Sequence, residues 1–143
     1  MTFAHLFLGA PDVIRAVASL WPEGTDANTG MAFGYASGAV ATLQCGARGV
    51  SSQRASIVGT TGRIEVPQLF FRPDRFTLVR DESPEEFVVP FRGNGMSHEA
   101  EEVMRCMRLG LLESPVIPLQ ETLEIMGVLD AVRAQIGVTY DLS

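Results

Sequence analysis

From Val13 to Phe91 the chain reads as strand, turn, strand, and after Gly95 its apolar residues recur with a helical period; few folds accommodate that order. Val13 to Trp21 is β-branched and apolar and ends at Pro22-Glu23-Gly24. Met31-Ala32-Phe33-Gly34-Tyr35-Ala36 alternates large and small residues, so a strand there has one bulky face and one nearly bare. Ser37-Gly38 is a two-residue hairpin signal leading into Ala39 to Cys45. Further strands are expected over Gln53 to Val58, Arg63 to Val66, Phe76 to Arg80 and Glu86 to Phe91. The first two of these are joined by Gly59-Thr60-Thr61-Gly62, the last two by Asp81-Glu82-Ser83-Pro84-Glu85.

Two helices are expected to follow. Ser97 is a candidate N-cap, Glu99, Glu101 and Glu102 favour the first turn, and Gly110 is a candidate stop. Val103, Met107 and Leu111 share a face of this helix. Pro118 opens the second helix and Gly137 closes it, with Leu119, Leu123, Met126, Leu129, Val132 and Ile136 as an apolar stripe. The segment Phe3 to Leu8 has helix-like spacing that Gly9-Ala10-Pro11 stops. These elements predict an α+β fold, an open, mainly antiparallel sheet with helices packed on one face, over residues 1–143 as a single domain.

Composition narrows the chemistry. A chain of 143 residues, 46% of them apolar, can bury one real core. The net charge of −6 argues against nucleic acid and anionic membranes as partners, because both demand a basic face. No apolar run reaches the length of a bilayer span, and the start lacks the features of a secretory leader, which favours a cytoplasmic protein. Cys45 and Cys106 lack metal-ligand spacing and are expected as buried free thiols. All eleven basic residues are Arg, in keeping with codon bias in a GC-rich, bacterial genome. The absence of Lys removes any Schiff-base lysine, P-loop lysine or lysine acid/base from this chain.

No catalytic set is evident. Gly93-Asn94-Gly95 begins like a dinucleotide fingerprint, but the third glycine position is His98 and no β-α-β pattern surrounds it, so no cofactor-binding residues are expected. His98-Glu99 opens like a zincin motif, yet Glu102 stands where the second His is needed, so no metal site is expected either. Helix capping accounts for these acidic residues. His5 is expected as a packed histidine. The loop Phe91-Arg92-Gly93-Asn94-Gly95-Met96 combines an aromatic, a cation, an amide and glycines before a helix N-terminus. That suits a hydroxyl-bearing or anionic ligand; a plain glycine-rich connection is the alternative.

Taken in order, Gly24-Thr25-Asp26, the hairpin around Ala32 to Leu43, Ile57-Val58-Gly59-Thr60-Thr61-Gly62-Arg63-Ile64, Gly95-Met96-Ser97-His98-Glu99-Ala100 and Glu113-Ser114-Pro115-Val116-Ile117-Pro118-Leu119 resemble one family. It is the C-terminal domain of the glucose-fructose oxidoreductase, inositol dehydrogenase and MocA oxidoreductases, in the dihydrodiol dehydrogenase-like branch. The resemblance runs from about Phe3 to Tyr140 and implies a missing N-terminal Rossmann domain that binds NAD or NADP. It further implies a sugar, polyol or diol as the substrate of the parent enzyme. The family's acid/base lysine and its first-helix motif have no counterpart here, so Met1-Thr2 would fall inside a longer protein. Phe91, Arg92, Asn94, Met96 and His98 would then line the outer wall of the substrate site. The open sheet would form a homodimer interface. A stand-alone, non-catalytic binding or scaffold module built on the same fold is the competing expectation.

Overall fold

The computed structural model describes residues 1–90, 93 and 95–140. Its elements run α1 (Thr2–Leu8), β1 (Val13–Leu20), β2 (Asp26–Gly34), β3 (Val40–Gly46), β4 (Ala55–Gly59), β5 (Gly62–Val66), β6 (Arg75–Arg80), β7 (Ser83–Val88), α2 (Met96–Arg108) and α3 (Leu119–Ile136). The α+β class with open antiparallel sheets is as the sequence predicts. The strands are divided between two sheets, in the orders β1-β2-β3 and β4-β5-β6-β7. Each belongs to one of two compact units, Met1–Val50 with the segment from Pro115 onward, and Ser51–Ser114.

In the first unit, the alternation along β2 decides what is buried. Ala27, Thr29 and Phe33 point inward, and Phe33 is only 1% exposed. Tyr35 continues that face, and both rings pack against Val128 and Val132 of α3. Ile14 and Ala16 of β1, Met31, and Ala41 and Leu43 of β3 surround them. A fully buried phenyl ring of this kind stabilises by roughly 2–3 kcal/mol. The opposite face follows from the register. Val13 pairs with Gly34 and Gly34 with Val40; Arg15 pairs with Ala32 and Ala32 with Thr42; Val17 pairs with Gly30 and Gly30 with Gln44. Down its centre run Gly30, Ala32 and Gly34, with Val13, Val17 and Val40 exposed beside them.

The β2–β3 turn differs from the expected two-residue Ser37-Gly38 hairpin. Tyr35 N–H donates to Ala39 C=O and Gly38 N–H to Tyr35 C=O, so Ala36, Ser37 and Gly38 form a three-residue loop. Gly38 takes the left-handed conformation (φ 85°) that such a loop needs. The Asp12 carboxylate accepts from Ala36 N–H and fixes the loop.

α3 begins after Pro118 and ends at Gly137 (φ 74°), the expected Pro-first, Gly-last pair. Its expected stripe does not all face the sheet. Val132 and Ile136 do, together with Val128, whereas Leu119, Leu123, Met126 and Leu129 are exposed. The helix is apolar around most of its circumference, so its sequence names more inward candidates than one sheet can cover.

In the second unit Thr60 and Thr61 form a tight turn between paired Gly59 and Gly62. Ile57, Ile64 and Leu78 align across three strands, and the Phe76 and Phe87 rings stack with centroids 4.9 Å apart. β7 starts at Ser83 instead of Glu86, because Asp81 and Glu82 alone make the turn, both at positive φ. Pro84 is tolerated there because β7 is an edge strand.

α2 starts two residues earlier than a Ser97 cap would place it. Gly95 (φ 89°) is the N-cap, no side chain caps the helix, and Ser97 lies inside it. Its other end follows the expected glycine stop. Gly110 N–H donates to Met107 C=O and Leu111 N–H to Cys106 C=O, the paired bonds of a Schellman motif. Val103, Met107 and Leu111, the expected inner face, are exposed; Cys106 is the residue this helix buries.

Candidate functional site

The loop singled out by its composition leads into α2. Phe91, Arg92 and Asn94 lie outside the described residues. Gly93 and Gly95, at φ 61° and 89°, both use the left-handed conformation that glycine adopts without a side-chain penalty. Met96 opens the helix with its side chain exposed. His98 follows in the first turn; its N–H donates to Gly95 C=O, and its Nδ1 lies 3.8 Å from a Glu101 carboxylate oxygen. Met96 and His98 both face solvent at the start of α2, but two residues apart on a helix they point to different sides.

Glu102, the residue four positions after His98, turns to other partners. Its carboxylate accepts from Arg105 Nε at 2.7 Å and Nη2 at 2.8 Å, a bidentate fork. It also accepts from Ser114 Oγ at 2.5 Å and from Cys106 Sγ at 3.3 Å. The guanidinium first, then the hydroxyl and the thiol, hold its pKa down at about 2. Burial, followed by the carboxylate beside it, pushes the Cys106 thiol up. A buried thiol held protonated beside a carboxylate is a poor nucleophile and a poor metal ligand. This network fastens α2 to the segment after it. Sequence spacing shows only half of it: Glu102 and Arg105 are i, i+3, but nothing in the sequence brings Ser114 back to the helix.

Other chemistry-bearing residues are scattered. In the first unit His5 is buried, as expected, with Nε2 3.6 Å from a Glu124 oxygen. It borders a cavity of about 10 Å³ with Phe33, Tyr35, Ile125 and Val128, space for no more than a water molecule. Burial raises the Tyr35 phenol pKa. Cys106 is buried as expected; Cys45 is exposed, because the end of β3 presents it to solvent. Among the described residues no three His, Cys, Asp or Glu side chains are arranged to hold a metal ion. No described helix is long and apolar enough to cross a membrane.

A dinucleotide does not fit the described residues. Its pyrophosphate is held where a strand turns through glycines into a helix within a parallel β-α-β unit. Every strand pairing among the described residues is antiparallel, and the glycines before α2 follow no such unit.

No protein-family model matches the chain. Among curated proteins, it is 33% identical over 137 residues to trans-1,2-dihydrobenzene-1,2-diol dehydrogenase of Oryctolagus cuniculus, covering 91% of this chain and 42% of that protein. It is 32% identical to the human protein of the same name, covering 91% and 41%. The chain thus spans less than half the length of these relatives. Among solved structures, KijD10, a 3-ketoreductase from Actinomadura kijaniata in complex with NADP, superposes with a TM-score of 0.74 at 22% identity, over 93% of this chain and 44% of that one. UDP-N-acetylglucosamine 3-dehydrogenase GnnA from Acidithiobacillus ferrooxidans gives 0.73 at 18%, over 92% and 42%. At such identities these two establish the fold alone. Over nearly its whole length this chain is a relative of the C-terminal part of the trans-1,2-dihydrobenzene-1,2-diol dehydrogenases, with the fold of the glucose-fructose oxidoreductase, inositol dehydrogenase and MocA class.

Proposed function

We propose that this chain is the substrate-side and self-association domain of an NAD- or NADP-dependent oxidoreductase acting on a CH–OH group of a sugar, polyol or diol. The observation that carries this reading is the 33% identity to a diol dehydrogenase along 91% of the chain, against 42% of that protein. The NADP named with the 3-ketoreductase structure supports the choice of cofactor. Nicotinamide would be held by sequence outside this chain, since the described residues do not fit it and no lysine is present for the proton transfer. The chain alone is then inactive, and it works in the cytoplasm.

Phe91, Arg92, Asn94, Met96 and His98 form one wall of the substrate pocket in this proposal. The paired left-handed glycines support it, because they let backbone and ligand approach closely without side-chain obstruction. Self-association as a homodimer uses the bare face of the β1-β2-β3 sheet.

Activity assays of this chain and of the protein carrying it, with NAD or NADP and a panel of diols and sugars, test the reading. Turnover is expected only from the longer protein, and turnover by this chain alone would overturn it. In the longer protein, replacing Arg92 and Asn94 together by Ala is expected to raise KM about tenfold, the loss of one or two polar contacts. An unchanged KM removes these residues from the pocket.

A further inference from the structure

β1 is an outer strand of its sheet, so among the described residues one row of its backbone groups has no strand beside it. Within that row, Ala16 N–H donates to Gln135 Oε1 at 3.0 Å. Two residues earlier, Ile14 C=O accepts from Gln135 Nε2 at 3.1 Å. Both ends of one side-chain amide, from the last turn of α3, are spent on the edge of one strand. A primary amide is a peptide group without its chain. Its donor and acceptor engage residues 14 and 16 as one residue of an adjoining parallel strand, or two of an antiparallel one, would. Ile14 C=O also accepts from Arg15 Nη1 at 2.8 Å, which occupies its second lone pair.

The strand being covered is a competent template. Val13, Ile14, Val17 and Leu20 favour extended pairing, and Arg15 is its one charged residue. An eight-residue strand of that composition would pair readily with its own copy. Ile14 and Ala16 face the core under α3, so the amide is held against the edge by the same packing that seats the helix.

We propose that Gln135 is an edge guard: its amide occupies the strand-addition site on β1 and keeps a second copy of this chain from pairing there edge to edge. This contact is separate from self-association through the sheet face. Edge pairing uses backbone groups in the plane of the sheet, and face pairing uses side chains perpendicular to it.

The test is made in an Ala32→Glu background, which blocks the face. In dilute, monomeric samples, adding Gln135→Ala is expected to speed hydrogen exchange of the Ala16 amide about tenfold or more. At higher concentration it should also produce dimers or larger species by light scattering well below the melting temperature. Gln135→Glu keeps the acceptor for Ala16 and loses the donor to Ile14, so it should keep Ala16 protected and associate less than the Ala variant. It also serves as the readout if the Ala variant does not fold. Leu43→Ala, on β3 two strands away from β1, destabilises the core with the guard in place and should leave both the size and the relative Ala16 protection unchanged. Unchanged Ala16 exchange in Gln135→Ala, or equal association in Leu43→Ala, overturns the proposal. If Ala32→Glu alone leaves the size of the chain as it was, the face proposal fails while the guard is still judged by Ala16.

Discussion

A Cβ on Gly62 would lie 2.5 Å from the Val79 carbonyl oxygen, a backbone atom of the neighbouring strand that cannot swing aside. Gly62→Ala is therefore expected to cost about 2 kcal/mol or more, read as a lower urea midpoint. Gly127 makes the opposite case. It sits in the exposed middle of α3 with no atom near the place of a Cβ, so Gly127→Ala should gain about 1 kcal/mol. Glu102 adds a pH dependence. Its pKa is about 2 in the folded chain against an ordinary value of 4.5. The stabilisation it brings is thus fully present above about pH 4.5 and is lost as the pH falls through about 2. Glu102→Gln should lower the melting temperature at pH 7 and flatten the acid limb in that window. An unaltered acid limb would show that the Arg105 and Ser114 contacts do not form in solution. At this scale the sequence makes the glycines of Gly59-Thr60-Thr61-Gly62 conspicuous as a turn. It does not reveal why Gly62 must be glycine, because Val79 reaches it only through strand pairing.

The β6–β7 hairpin turns on two non-glycine residues, Asp81 at φ 49° and Glu82 at φ 57°. Two-residue turns of this kind favour Asn-Gly or Asp-Gly, since a Cβ at positive φ costs about 1–2 kcal/mol. Glu82→Gly removes that strain but frees more unfolded-state conformations and gives up a 3.8 Å ion pair with Arg63. The Glu82 side chain is 89% exposed, so the ion pair is worth little. The net expectation is a gain of up to about 1 kcal/mol, seen as a melting temperature a few degrees higher; a loss would mean the ion pair or the entropy dominates. Element types from β1 to α3 were legible because alternation, glycine and proline act locally. Boundaries were less so: the polar run Asp81 to Glu85 hid the start of β7, and the Ser97 signal was overridden by Gly95. Helix faces were least legible. Val103, Met107 and Leu123 are apolar at helical spacing, but periodicity states which residues could be buried, while the strands actually present decide which are.

For the whole molecule the consequential surface is the bare side of the β1-β2-β3 sheet. Gly30, Ala32 and Gly34 leave it flat, and Val17 and Val40, 75% and 71% exposed, add apolar area on both sides. A flat, weakly charged surface can pack against its own two-fold copy without a matching cavity, which is why the proposed homodimer uses it. Ala32 lies opposite Arg15 and Thr42 in the register. A glutamate there finds a cation across the strand, so the fold should tolerate Ala32→Glu with a loss of 1 kcal/mol or less, about the scale of β-propensity differences. In a dimer the same carboxylate would be buried twice, once from each copy and close to its symmetry mate. That cost of several kcal/mol should weaken association by a hundredfold or more. Light scattering across a concentration series reads both effects. The unmodified chain should gain mass as concentration rises, and the variant should stay at 15.5 kDa. If the unmodified chain is a clean monomer at high concentration, the sheet face is not a contact between copies, and its small residues must serve the packing of the sheet itself.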